Sequence, residues 1–114
     1  GEGQLATVLA HELAHNILEH PQRRRASGSR PSVRSTEIAA DRLSVYLLDA
    51  AGYPIADAVA FWSEWGRAND LGILSDRTHP GWRKRIASIE AEAALIAAAK
   101  AAGRPVTPPA DLLR

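Results

Sequence analysis

Cysteine is absent from this 114-residue chain, and so is methionine. Without cysteine there is neither a disulfide nor a thiolate ligand, so any metal must be held by His, Asp or Glu. Natural chains begin with methionine. Its absence gives the expectation of a fragment, a processed product or a tagged chain, with Gly1 as a cleavage scar. Aromatic residues make up only 5% of the sequence. No apolar run approaches the ~20 residues of a membrane span, and no signal-peptide pattern opens the chain. Neither sign of charge dominates. A formal net charge of +1 gives no reason to expect nucleic acid or an acidic partner.

What is abundant is alanine, which loses least on entering a helix. The length suits a single domain, and the apolar residues recur with helical rather than strand period. From about residue 4 to 19, Leu5, Val8, Leu9, Leu13 and Ile17 step by three and four, and Pro21 closes the helix. Ser35 or Thr36 can cap a second helix to about residue 51, with Ile38, Leu43, Val45, Leu47 and Leu48 facing the core. Gly52 stops it, and Pro54 opens a third helix to about residue 68, carrying Ile55, Val59, Phe61, Trp62 and Trp65. Thr78 or His79 caps a fourth, with Pro80 in its first turn. Its stripe is Trp82, Ile86, Ile89, Ala93 and Ile96, and Gly103 and Pro105 end it. The expected fold is all-α, about four helices over residues 1–103, with an irregular tail over 104–114. No stretch reads as a strand, so no substrate-binding sheet is expected.

Within the first helix lies His11-Glu12-Leu13-Ala14-His15. Four residues turn an α-helix by about 400°, so both imidazoles point one way and can share one metal ion. Glu12 falls on the flank of that face, within reach of a metal-activated water. This is the HExxH signature of zinc hydrolases. The competing reading is an amphipathic core helix with incidental histidines.

Catalytic zinc commonly takes three protein ligands. The third must come from Glu37, Asp41, Asp49, Glu64, His79, Glu90 or Glu92. Glu37 stands out because Glu37 and Asp41 are four apart on one helical face. One can ligate while the other accepts the second N–H of a ligating imidazole, fixing its tautomer. The plainer reading of that pair is a solvated charged face.

Ala-His-Glu-Leu-Ala-His (10–15), Glu-Ile-Ala-Ala-Asp-Arg-Leu (37–43), Ala-Gly-Tyr-Pro (51–54) and Thr-His-Pro…Arg-Ile (78–86) occur in one order. Together they resemble the gluzincin metallopeptidases of the HtpX and CAAX-prenyl-endopeptidase type, over roughly residues 4 to 90. The resemblance implies one zinc ion held by His11, His15 and Glu37, with Glu12 as general base. It also implies Asp41 as hydrogen-bond partner of His11, His79 as donor to the oxyanion, and Arg85 as a structural or site-bracing residue. The implied activity is endoproteolysis of a peptide or protein substrate at the bacterial envelope, the full-length protein being associated with a membrane. Members of this class hold an extended substrate against a sheet edge. Only a few residues precede the HExxH helix here, so a partial catalytic core is expected. The alternative is a non-catalytic zinc-binding helical domain, derived from a peptidase, with an assembly or regulatory role.

Two features stand outside that site. Residues 22–34 carry five arginines among Ser, Gly and Pro, a surface loop that either is simply solvated or meets anionic lipid. His20 is nine residues from His11, about 900° of rotation, and so belongs on the opposite face as a structural residue.

Overall fold

The computed structural model describes residues 2–18, 33–69 and 81–113. Four α-helices make up most of it: α1 (Glu2–Ile17), α2 (Val33–Ala50), α3 (Ile55–Asn69) and α4 (Trp82–Ala101). A single 3-10 turn, Ala110–Leu113, follows. The fold is all-α, with no strand among the described residues. No helix among them is long and apolar enough to cross a membrane.

Helix α2 lies at the centre, touching α1, α3 and α4. Ala14 and Leu18 of α1 meet Ala40 and Leu43, while Ala6 and Ala10 meet Leu47 and Leu48, so α1 runs antiparallel to α2. Asp41 meets Arg85, Tyr46 meets Glu92 and Asp49 meets Lys100, so α2 and α4 run parallel. The largest core cluster joins Val45, Tyr46, Trp62, Ile89 and Ile96, with Trp82, Ile86 and Ala93 of the α4 stripe packed against it.

Both glycine stops are built the same way. Gly52 has φ 84° and Gly103 has φ 67°, the left-handed region that a side chain disfavours. Tyr53 N–H bonds to Leu48 O and Gly52 N–H to Asp49 O, each at 3.0 Å. Arg104 N–H to Ala99 O and Gly103 N–H to Lys100 O repeat the pattern. These paired bonds satisfy the last carbonyls of α2 and α4.

Two expectations are corrected. Helix α2 begins at Val33, so Ser35 and Thr36 lie inside it rather than capping it, and Thr36 is buried. Helix α4 begins at Trp82 with Gly81 at its N-cap and no side-chain cap, so Pro80 precedes the helix instead of filling its first turn. In α1 the apolar stripe faces water: Leu5 is 61% exposed, Leu9 59% and Leu13 51%. The buried side is Thr7, Ala10, His11 and Ala14. Small side chains let two helix backbones approach closely, and only this rotation brings the histidines against α2. Thr7 is tolerated there because its hydroxyl donates to Gly3 O at 2.8 Å. The tail also contributes more than an irregular strand of chain. It is irregular to Pro109, then turns and buries Leu112 against Ala14, Leu18, Ala40 and Leu43.

Candidate metal centre

Antiparallel packing of α1 on α2 brings two i, i+4 pairs face to face. The Nε2 atoms of His11 and His15 are 3.1 Å apart. Glu37 Oε2 lies 3.2 Å from His11 Nε2, and Glu37 Oε1 lies 3.1 Å from His15 Nε2. Each of the three residues thus brings a donor atom within 4.8 Å of the others, the one such group of His, Asp and Glu found among the described residues. His11 is buried, and His15 and Glu37 are half-buried, so the group is open on one side.

Donor spacing tests whether a zinc ion fits. Tetrahedral zinc with bonds of about 2.0–2.1 Å sets neighbouring donors about 3.3 Å apart. The two imidazole nitrogens, 3.1 Å apart, match that edge length, while Glu37 meets them through different oxygens, Oε2 at 3.2 Å from His11 and Oε1 at 3.1 Å from His15. Two imidazoles and one carboxylate are also a ligand set that catalytic zinc uses.

Asp41 stands behind the ligands. It is fully buried, and its Oδ1 is 3.0 Å from His11 Nδ1. That contact is short without being aligned as a hydrogen bond, since His11 Nδ1 is buried and meets no acceptor in good geometry. Arg85, reaching over from α4, grips the same carboxylate at 2.7 Å from Nε and 2.9 Å from Nη2. Its Nη2 is also 3.4 Å from Glu37 Oε2.

Charge follows from this packing. Burial works against a proton on His11, but the carboxylates of Asp41 and Glu37 outweigh it and raise its pKa to about 9. Burial would likewise favour a neutral Glu37. The imidazoles of His11 and His15 outweigh that and hold its carboxyl well below the usual carboxylate range.

Glu12 is exposed on the flank of the cluster. The other acidic candidates lie elsewhere: Asp49 pairs with Lys100, Glu92 is buried against Arg42 and Tyr46, and Glu64 and Glu90 face solvent. His79, His20 and residues 22–32 of the arginine-rich loop lie outside the described residues, while Val33 and Arg34, read as the end of that loop, are the first residues of α2. Two residues read from sequence as plain core border the site. Trp62 packs its ring 5.5 Å from that of His11, and both Trp62 and Trp82 lie against the Arg85 guanidinium. The i, i+3 spacing of Trp82 and Arg85 is the only sequence signal of this; nothing in the chain connects Trp62 to it. The chain matches no family model, no curated protein and no solved structure.

Proposed function

We propose that this chain is the helical core of a zinc-dependent metalloendopeptidase of the HtpX and CAAX-prenyl-endopeptidase type. The observation that carries the reading is the grouping of one donor atom each from His11, His15 and Glu37 within 4.8 Å of one another. Glu12 on the solvent side supports catalysis over mere structure, because a structural zinc has no use for a free carboxylate at that position.

In this reading His11, His15 and Glu37 hold one zinc ion. When bound, zinc polarises a carbonyl and acidifies a water, the chemistry of metal-assisted hydrolysis. Asp41 keeps the His11 ring turned with Nε2 toward the centre. Glu12 accepts a proton from the attacking water as the new C–O bond forms, then passes it to the leaving nitrogen as C–N breaks. His79, by resemblance, donates a hydrogen bond to the oxygen that gains charge. The substrate is a peptide or protein.

A second reading rests on a specific observation. All described elements are helices, so none of them offers a strand edge for an extended substrate. A non-catalytic zinc-binding domain with an assembly or regulatory role would need none. Stoichiometric zinc analysis coupled to a casein-cleavage assay separates the two. The peptidase reading expects about one zinc per chain and cleavage that a chelator stops and zinc restores. Bound zinc without turnover, in a chain extended to its full gene-encoded length, would leave only the second reading.

A further inference from the structure

Arg85 presents an electrostatic puzzle. A buried guanidinium, only 6% exposed, stands beside a centre proposed to hold a dication. By repulsion alone it weakens metal binding. Its surroundings point to what it gives in return. The Arg85 Cζ is 4.4 Å from the ring centre of Trp82 and 4.9 Å from that of Trp62. The two indoles stack on each other at 5.6 Å with 21° between their planes. Trp62 also reaches the His11 ring at 5.5 Å. One indole therefore touches both the ligand and the arginine that grips the ligand's carboxylate partner.

We propose that Trp62, together with Trp82, is a positioning element for the metal centre. It fixes the plane of Arg85 so that both carboxylates stay in place, and it braces the ring of His11 from behind. The inference rests on the reading of His11, His15 and Glu37 as metal ligands. The physical argument has two parts. Asp41 and Glu37 are like charges crowded around one imidazole, and the Arg85 fork, close to both, holds them together. A guanidinium fork is useful only when its plane is fixed, and aromatic faces fix it through cation–π contact. The donors are thereby set before any metal arrives.

The test uses the whole chain stripped of metal by chelator. Zinc affinity is measured by competition with a chromophoric chelator, and the visible spectrum of bound cobalt reports the coordination geometry. Trp62→Phe, which keeps an aromatic face, should hold affinity within about threefold. Trp62→Leu and Arg85→Lys, with helicity intact by circular dichroism, should each lose about ten- to a hundredfold and change the cobalt spectrum. Repulsion acting alone predicts the reverse sign for Arg85→Lys, since the mobile ammonium can swing away. Wild-type or tighter binding with an unchanged spectrum, in either variant, overturns the proposal. Should Trp62→Leu fail to fold, Trp82→Leu decides, because its ring is only half-buried. A folded Trp82→Leu with unaltered affinity and spectrum also overturns it. A wild-type chain that binds neither zinc nor cobalt would instead overturn the metal-site reading itself.

Discussion

Asp41 and Arg85 form a two-point ion pair, 2.7 and 2.9 Å, in which the carboxylate has no exposure to solvent. The same carboxylate faces His11, so one buried group links α1, α2 and α4. Removing one partner of a buried pair strands the other, which typically costs about 3–5 kcal/mol. Asp41→Asn should therefore lower the unfolding free energy of the metal-free protein by about 3 kcal/mol or more. Urea titration measures this. A loss below about 1 kcal/mol would mean that the arginine is held without Asp41, as a surface pair would be.

Glu12 has the opposite character. It is exposed and belongs to no contact of the cluster. Glu12→Gln should leave zinc content unchanged and shift stability by no more than about 0.5 kcal/mol. Peptide cleavage should fall by about a hundredfold to ten-thousandfold, the usual contribution of a general base. If the zinc-loaded variant cleaves as fast as wild type, Glu12 is not the base.

The metal-free protein should be sensitive to pH in a defined direction. His11 binds its proton more tightly in the folded chain, with pKa about 9 against 6.5. Its stabilising contribution is complete below about 6.5 and is lost as pH rises through about 9. Glu37, held well below its ordinary value of 4.5, contributes above that value and loses its contribution on acidification. Calorimetry after chelator treatment should show Tm falling from pH 6.5 to 9 and again below pH 4. A Tm that climbs between pH 7 and 9 would contradict the charge assignment.

A second buried network serves as a control. Glu92 accepts from Tyr46 Oη at 2.6 Å and from Arg42 Nε at 2.7 Å. Burial, and then the Glu92 carboxylate, push the Tyr46 hydroxyl pKa upward. Glu92→Gln should cost about 3 kcal/mol of stability. Zinc affinity should stay within about twofold, because the network shares no residue with the metal centre. A parallel loss of affinity would show that the two networks act as one.

Helix count and the C-terminal stops of α2 and α4 were legible in the chain, because they depend on local period and on Gly52 and Gly103, whose backbone role is intrinsic, whereas the starts of α2 and α4 were not. The facing of His11 with His15, and of Glu37 with Asp41, likewise follows from 3.6 residues per turn. That these two pairs meet depends on antiparallel packing of α1 on α2, which spacing does not encode. Hydrophobic period showed that α1 is a helix but not which of its faces turns inward. Leu5, Leu9 and Leu13 form the more apolar stripe, yet close backbone approach through Thr7, Ala10 and Ala14 decides the rotation. Arg85 stands 44 residues from Asp41 and Trp62 on a third helix, and no local signal joins them.

The inward face of α1 has a thermodynamic consequence. Its buried side is alanine, threonine and histidine, while its leucines lie in water. Imidazole–carboxylate contacts join its small apolar side chains in attaching it to α2, and an ion bound there would rivet the two helices. Amide hydrogens of α1 should then exchange through a detachment of that helix alone, at a free energy that grows logarithmically with free zinc. Those of α2 and α4 should exchange only when the whole domain opens.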